Sequence, residues 1–164
     1  MFEWHVCGTI RCFGPCPAKG SPKIASFDLM HGLIQLKEGK SGWAYTYSEI
    51  PGRFSRICDQ GYKIVIFTTL AELKAGLSVE HGSAFHFVET FASSLPFTMQ
   101  VFISTAPETD KPSGAMFRLL QDQMNAGKDI DLSVSFHCAL RWSDAARTAL
   151  DAVDAEFAAQ CGIK

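Results

Sequence analysis

Four residues fall at or just beyond the ends of apolar, strand-like runs, and their types point to one chemistry. Asp28 follows KIASF (23–27), Thr68 closes KIVIFT (63–68), Lys111 lies beyond MQVFIS (99–104) and His137 follows LSVSF (132–136). A carboxylate can attack a phosphoryl group, while a hydroxyl and an ammonium can hold the charge on its oxygens. Brought together, Asp28, Thr68 and Lys111 would serve as nucleophile, phosphate ligand and clamp. A strand-end aspartate also caps turns, and residue type alone leaves both roles open.

The elements that must position these residues alternate. A β-rich lead, FEWHVCGTIRCF (2–13), is followed by a Gly/Pro loop and the first central strand, 23–27. Residues 49–60 carry Ile50, Phe54, Ile57 and Cys58 at helical spacing before Gly61, and 63–68 follows as a continuous apolar strand. Residues 82–94 put Phe85, Val88, Phe91 and Ala92 on one helical side. After the strand 99–104, a helix opening near Pro112 carries Met116, Leu119, Leu120 and Met124. The strand 132–136 and a last helix complete the chain, the helix capped by Ser143 and striped by Ala146, Leu150, Val153 and Phe157. This order predicts one domain over 1–164, an α/β fold with a mostly parallel sheet covered on both faces. In such sheets the working surface lies beyond the carboxyl ends of the strands, where the four residues stand.

The run FDLMHGLI (27–34) resembles FDLDGTLI, the first motif of haloacid dehalogenase-like phosphatases. EIPGRFSRICDQGYKIVIFTTL is similar to the segment of polynucleotide kinase 3′-phosphatases that ends in VIFTNQ, and DKPSGAMFRLLQDQMNAG resembles their RKPxxGMW motif. The lead EWHVCGTIRCFGP is similar to that family's opening strand, so the resemblance runs from about Trp4 to the last helix. It covers the phosphatase domain only, since no GxxxxGK[ST] kinase loop occurs. The resemblance implies a haloacid dehalogenase-like three-layer fold with a short N-terminal β lead. It also implies that Asp28 matches the nucleophile, Thr68 the second-motif phosphate ligand and Lys111 the phosphate-clamping lysine.

The departures from that pattern concern the same chemistry. Met30 stands where the family has the aspartate that protonates the leaving oxygen and activates water. His31-Gly32 replaces Gly-Thr, Thr69-Leu70 replaces Asn-Gln, and FHCALR (136–141) puts His137 where the family's Mg²⁺-binding aspartate belongs. A missing general acid/base costs about 10²–10⁴ in rate. Mg²⁺ prefers oxygen ligands, so an imidazole in place of a carboxylate removes both charge and preferred donor. Asp129 and Asp131 precede the last strand, at the wrong end of the sheet, and Asp144 reads as a favourable charge in a helix's first turn. The expectation is a pseudophosphatase with vestigial Asp28, Thr68 and Lys111, no cofactor, a lost Mg²⁺ site and an Asp28–Lys111 ion pair that is stable without metal.

Bulk properties set the remaining expectations. A formal charge of −2 without basic runs is unlike the footprint of a strong nucleic-acid binder, and no apolar run approaches the roughly 20 residues that cross a bilayer. Six cysteines, including Cys7, Cys12 and Cys16 near His5, match no zinc spacing and read as reduced thiols of an intracellular protein. Neither a secretory signal nor an Arg-rich transit peptide is evident at the N-terminus. Lys37, Lys40, Trp43, Tyr45 and Tyr47 interleave basic and aromatic groups as single-strand binders do, although aromatics packed on the sheet edge or a partner account for them better. The reading that unites these points is an accessory subunit of a larger protein assembly, with mitochondrial respiratory or ribosomal complexes as settings. The alternatives are a nucleic-acid 3′-end binding module and a residual polynucleotide 3′-phosphatase.

Overall fold

Alternate residues of the central strands face opposite sides of one sheet, and each side is closed by its own apolar layer. The computed structural model describes residues 1–30, 32–37, 42–139 and 145–164, with backbone only for 145–151. His31, Lys40, Ser143 and Asp144, and the side chains of Ala146 and Leu150, lie outside the described residues.

The six-stranded sheet has the order β1-β2-β7-β6-β3-β8. Its parallel part is β7 (Met99–Ser104), β6 (Lys63–Thr69), β3 (Ile24–Phe27) and β8 (Phe136–Cys138), and β1 (Phe2–Cys7) and β2 (Ile10–Pro15) add an antiparallel margin beside β7. A separate hairpin, β4 (Ile34–Leu36) with β5 (Trp43–Tyr45), lies between β3 and α1 (Ile50–Asp59) in the chain. On one face Ala25, Phe27, Ile64, Ile66 and Val101 pack with Phe54 of α1, Leu73 of α2 (Leu70–Leu77) and Phe91 of α3 (His81–Ser93). On the other, Ile24, Val65, Phe67 and Phe102 pack with Met116 and Phe117 of α4 (Ala115–Leu119) and Phe157 of α5 (Ala145–Cys161). The period of two within each strand thus produces the three-layer α/β architecture that the element order implies.

Several boundaries differ from the sequence reading. The last strand is Phe136–Cys138, and 131–135 form a turn in which Ser133 N–H and Oγ–H both donate to Asp131 Oδ1. Ser135 Oγ–H donates to the Asp131 carbonyl and accepts from Ile24 N–H, so local side-chain bonds displace a strand ladder there. Leu132 and Val134, apolar at strand spacing, are consequently exposed. His137 lies within β8, opposite Ser26, instead of beyond its end. The helix foreseen from Pro112 begins at Ala115 and passes into a π-helical turn at Leu120–Met124. The helix α2 appears where only a strand end was read. Thr69 caps it by accepting from Glu72 N–H, while the Glu72 carboxylate accepts from Thr69 N–H.

Trp43 and Tyr45 pack inward, but on helix α3 and on each other and not on the sheet edge. Trp43 meets Phe91 edge-on at 4.9 Å and Tyr45 at 5.1 Å, whereas Tyr47 remains exposed. Among the described residues, no helix is long and apolar enough to cross a membrane. Phe67→Ala, which empties a fully buried position between Phe102 and Phe157, is expected to lower unfolding free energy by about 3–5 kcal/mol in urea titration. Val134→Ser should change it by less than about 0.5 kcal/mol, in contrast to the loss a sheet residue would show.

Candidate functional site

Three strand ends and two helices deliver a closed ionic cluster. Asp28 leaves β3 with its N–H donated to the Cys138 carbonyl, which ties it to the end of β8. The turn after it bonds Leu33 N–H back to the Asp28 carbonyl, and it needs glycine at position 32 because a Cβ there would lie 2.5 Å from that oxygen. Lys111 follows β7 and a short 3₁₀ turn, and its side chain is 1% exposed.

The Lys111 ammonium is the centre of the cluster. It donates to Asp28 Oδ1 at 3.1 Å and to Asp154 Oδ1 at 2.8 Å, with Glu72 Oε1 at 3.9 Å. Asp154, from α5, also accepts from His137 Nε2–H at 2.9 Å, and His137 Nδ1 lies 3.0 Å from Ser26 Oγ. Thr68 Oγ1–H donates to Glu72 Oε2 at 3.2 Å. A continuous chain therefore runs from Ser26 through His137, Asp154 and Lys111 to Asp28, with Glu72 and Thr68 alongside.

Burial and charge separate the two carboxylates bound to Lys111. Burial pushes the Asp28 carboxyl up to about 6; Glu72 and Asp154 push the same way, and the Lys111 ammonium opposes them. Burial acts on Asp154 as well, but hydrogen bonds from His137 and Lys111 outweigh it and hold that carboxyl below its ordinary value. Desolvation disfavours the Lys111 ammonium, yet the carboxylates of Asp28, Glu72 and Asp154 prevail and keep it charged. Asp154 is thus the firm counter-ion of Lys111, and of these two carboxylates Asp28 takes up a proton the more readily.

The residues read from sequence divide in a definite way. Asp28, Thr68, Lys111 and His137 are brought together at the carboxyl end of the parallel strands. Met30 is buried in the apolar core, and a Cβ on Gly76 of α2 would lie 2.7 Å from its Cε. It offers no group that exchanges a proton. Two members of the cluster were missed by the sequence reading, and each left a trace. Glu72 closes the T-x-x-E pattern of a capping box, and Asp154 lies on the same face of the last helix as buried Phe157, Ala158 and Cys161, where an acid needs a buried partner.

Between α1 and the Phe27 and Phe136 side of the sheet opens a mainly apolar cavity of about 510 Å³, and no member of the ionic cluster is among its walls. Phe27, Gly32, Tyr47, Arg53, Phe136 and Cys138 are among its walls.

A model of the polynucleotide kinase 3 phosphatase family matches residues 23–164, a span that contains every member of the ionic cluster. The chain belongs to that family. The β1–β2 margin precedes the matched span. Among curated relatives, the polynucleotide 3′-phosphatase ZDP of Arabidopsis thaliana is 29% identical over 163 residues. That alignment takes in 88% of this chain and 23% of the relative, so the chain spans about a quarter of that protein's length.

Lys111, within DKPSGAMF, meets Asp28 as the sequence reading expects, and Asp154 is its second carboxylate partner. Removing the ammonium would strand buried carboxylates, so Lys111→Met is expected to cost about 3–5 kcal/mol of unfolding free energy. The Asp28 shift has the opposite sign from a stabilising carboxylate. A carboxyl with a raised folded-state value loses stability as pH climbs from 3.8 through about 6. Asp28→Asn should therefore gain in stability relative to the wild type across that window, read as a difference in urea midpoints at pH 4 and pH 7.

Proposed function

We propose that this chain is a phosphatase-like domain without phosphatase turnover, acting as a structural or accessory subunit of a larger protein assembly. The observation that carries the reading is the state of Lys111, whose ammonium is engaged by Asp28 and Asp154 within the protein itself. A lysine that clamps a substrate phosphate must offer donors to it, and here its strongest contact is an internal carboxylate from α5.

The reacting groups support the same reading. Asp28 has the nucleophile's position, but the place of the proton-transferring aspartate is held by the buried thioether of Met30. Loss of such a group costs about 10²–10⁴ in rate, and neither Glu72 nor His137 is free to replace it, being bonded to Thr68 and Asp154. Mg²⁺, the ion implied by the family, requires near-octahedral oxygen coordination. The donor set here fits it poorly. Oδ1 of Asp28 and Oδ1 of Asp154 already accept from an ammonium, Asp154 accepts from an imidazole as well, and His137 supplies nitrogen where oxygen is wanted.

With its reacting groups bonded to one another, the domain has its surface left to act with. A protein partner suits a chain of formal net charge −2 better than a polyanion does. The proposed setting is intracellular, with mitochondrial respiratory and ribosomal assemblies the first places to search. One feature favours a second reading, a nucleic-acid 3′-end module: Tyr47 and Arg53 line the cavity beside α1 and could stack a base and meet a phosphate.

Phosphate release from a 3′-phosphorylated oligonucleotide, with and without Mg²⁺, is expected to match that of the Asp28→Asn variant. Turnover that depends on Asp28 would overturn the proposal. Native isolation under mild conditions, followed by sizing and mass spectrometry, should recover the chain in stoichiometric association with other proteins. Recovery as a monomer that binds the oligonucleotide with steep salt dependence would replace the subunit reading with the second one.

A further inference from the structure

The β1–β2 hairpin brings together donors that no sequence spacing connects. Glu3 and His5 alternate along β1 and so project from the same face, the one opposite Phe2 and Trp4, which pack on the apolar layer with Phe13. Glu3 pairs with Gly14 of β2, and Cys16, two residues further on, returns to that face just past the strand's end. Its position is fixed by a hydrogen bond from Cys16 N–H to the Met1 carbonyl at 2.8 Å. The carboxylate, imidazole and thiol then offer one ligand atom each, all within 4.8 Å of one another.

We propose that Glu3, His5 and Cys16 form a three-ligand site for Zn²⁺, with the fourth position open to water. The donor types are those zinc uses, and they are mixed as in sites that keep an open position. The geometry agrees where it is closest. His5 Nε2 and Glu3 Oε1 are 3.3 Å apart, and two such ligands at zinc distances on a tetrahedron are separated by roughly 3.3 Å. Cys16 closes the triangle by a small side-chain rotation at an exposed position. Zinc would replace the thiol proton of Cys16, releasing one H⁺ to solvent per ion bound as a Zn–S bond forms.

Neighbouring thiols do not compete. Cys12 is opposite His5 in the ladder but lies in the core, where burial pushes it up to about 12. Cys7 is not among the three atoms that converge. The site is also separate from the ionic cluster, and it lies outside the span matched by the family.

The test uses the whole reduced chain and Co²⁺ as a spectroscopic stand-in for Zn²⁺. Titration should saturate at one equivalent, with a thiolate-to-cobalt band in the near ultraviolet that Zn²⁺ then bleaches. Cys16→Ser should abolish the band, and His5→Ala should weaken binding by more than about tenfold, the scale on which even the outer partners of ligands act. Asp28→Asn should leave the titration unchanged. Both positions to be varied at the hairpin, His5 and Cys16, are partly or fully exposed, so circular dichroism should match the wild type. Absence of saturable binding, a band retained in Cys16→Ser, or loss of binding in Asp28→Asn would each overturn the assignment.

Discussion

A buried ammonium that must be neutralised organises the carboxyl end of this sheet. The Lys111 side chain is almost wholly buried, and in a medium of low polarity an uncompensated charge there would cost several kcal/mol. Two carboxylates from different parts of the chain meet it, one at the end of β3 and one on α5. The consequence is structural as much as chemical. The helix α5 is held to the sheet by Phe157 in the apolar layer and by Asp154 in the ionic one. The residues that follow it complete β8 through bonds from His137 N–H to the Lys164 carbonyl and from Lys164 N–H to the Ser135 carbonyl.

Chemistry and stability are opposed in this arrangement. A phosphoryl-transfer site gains rate by keeping donors and nucleophile unsatisfied until substrate arrives. Here those same groups satisfy one another. His137 shows the principle most clearly, because its imidazole donates to Asp154 and reaches Ser26 through its other nitrogen. Met30 carries the same tendency into the apolar core, filling the space beside Gly76 with hydrocarbon and sulfur where a carboxylate would require partners.

Much of the fold could be read from local pattern, and the failures have local causes. Apolar runs such as KIVIFT and MQVFIS are continuous because both faces of the parallel strands are covered, and they became β6 and β7 with little change. LSVSF imitated that pattern, but Asp131 and two serines offered the backbone a tighter set of hydrogen bonds, and the strand moved on to Phe136–Cys138. The helix after β6 was signalled by Thr69 and Glu72, yet the strand's own β-branched threonines read equally well as its end.

The sequence by itself determined the alternation of elements, the two-sided burial of the central strands, and the presence of Asp28, Thr68 and Lys111 at their ends, because each follows from periodicity and chain order. It also carried Met30 and His137, the residues on which the proposed loss of turnover rests. Tertiary structure alone decided the second carboxylate that neutralises Lys111. Asp154 is 43 residues from it along the chain, and only packing of α5 against the sheet brings the two within 2.8 Å. The grouping of Glu3, His5 and Cys16 is likewise a product of hairpin register, in which side chains that share a face need not share a motif.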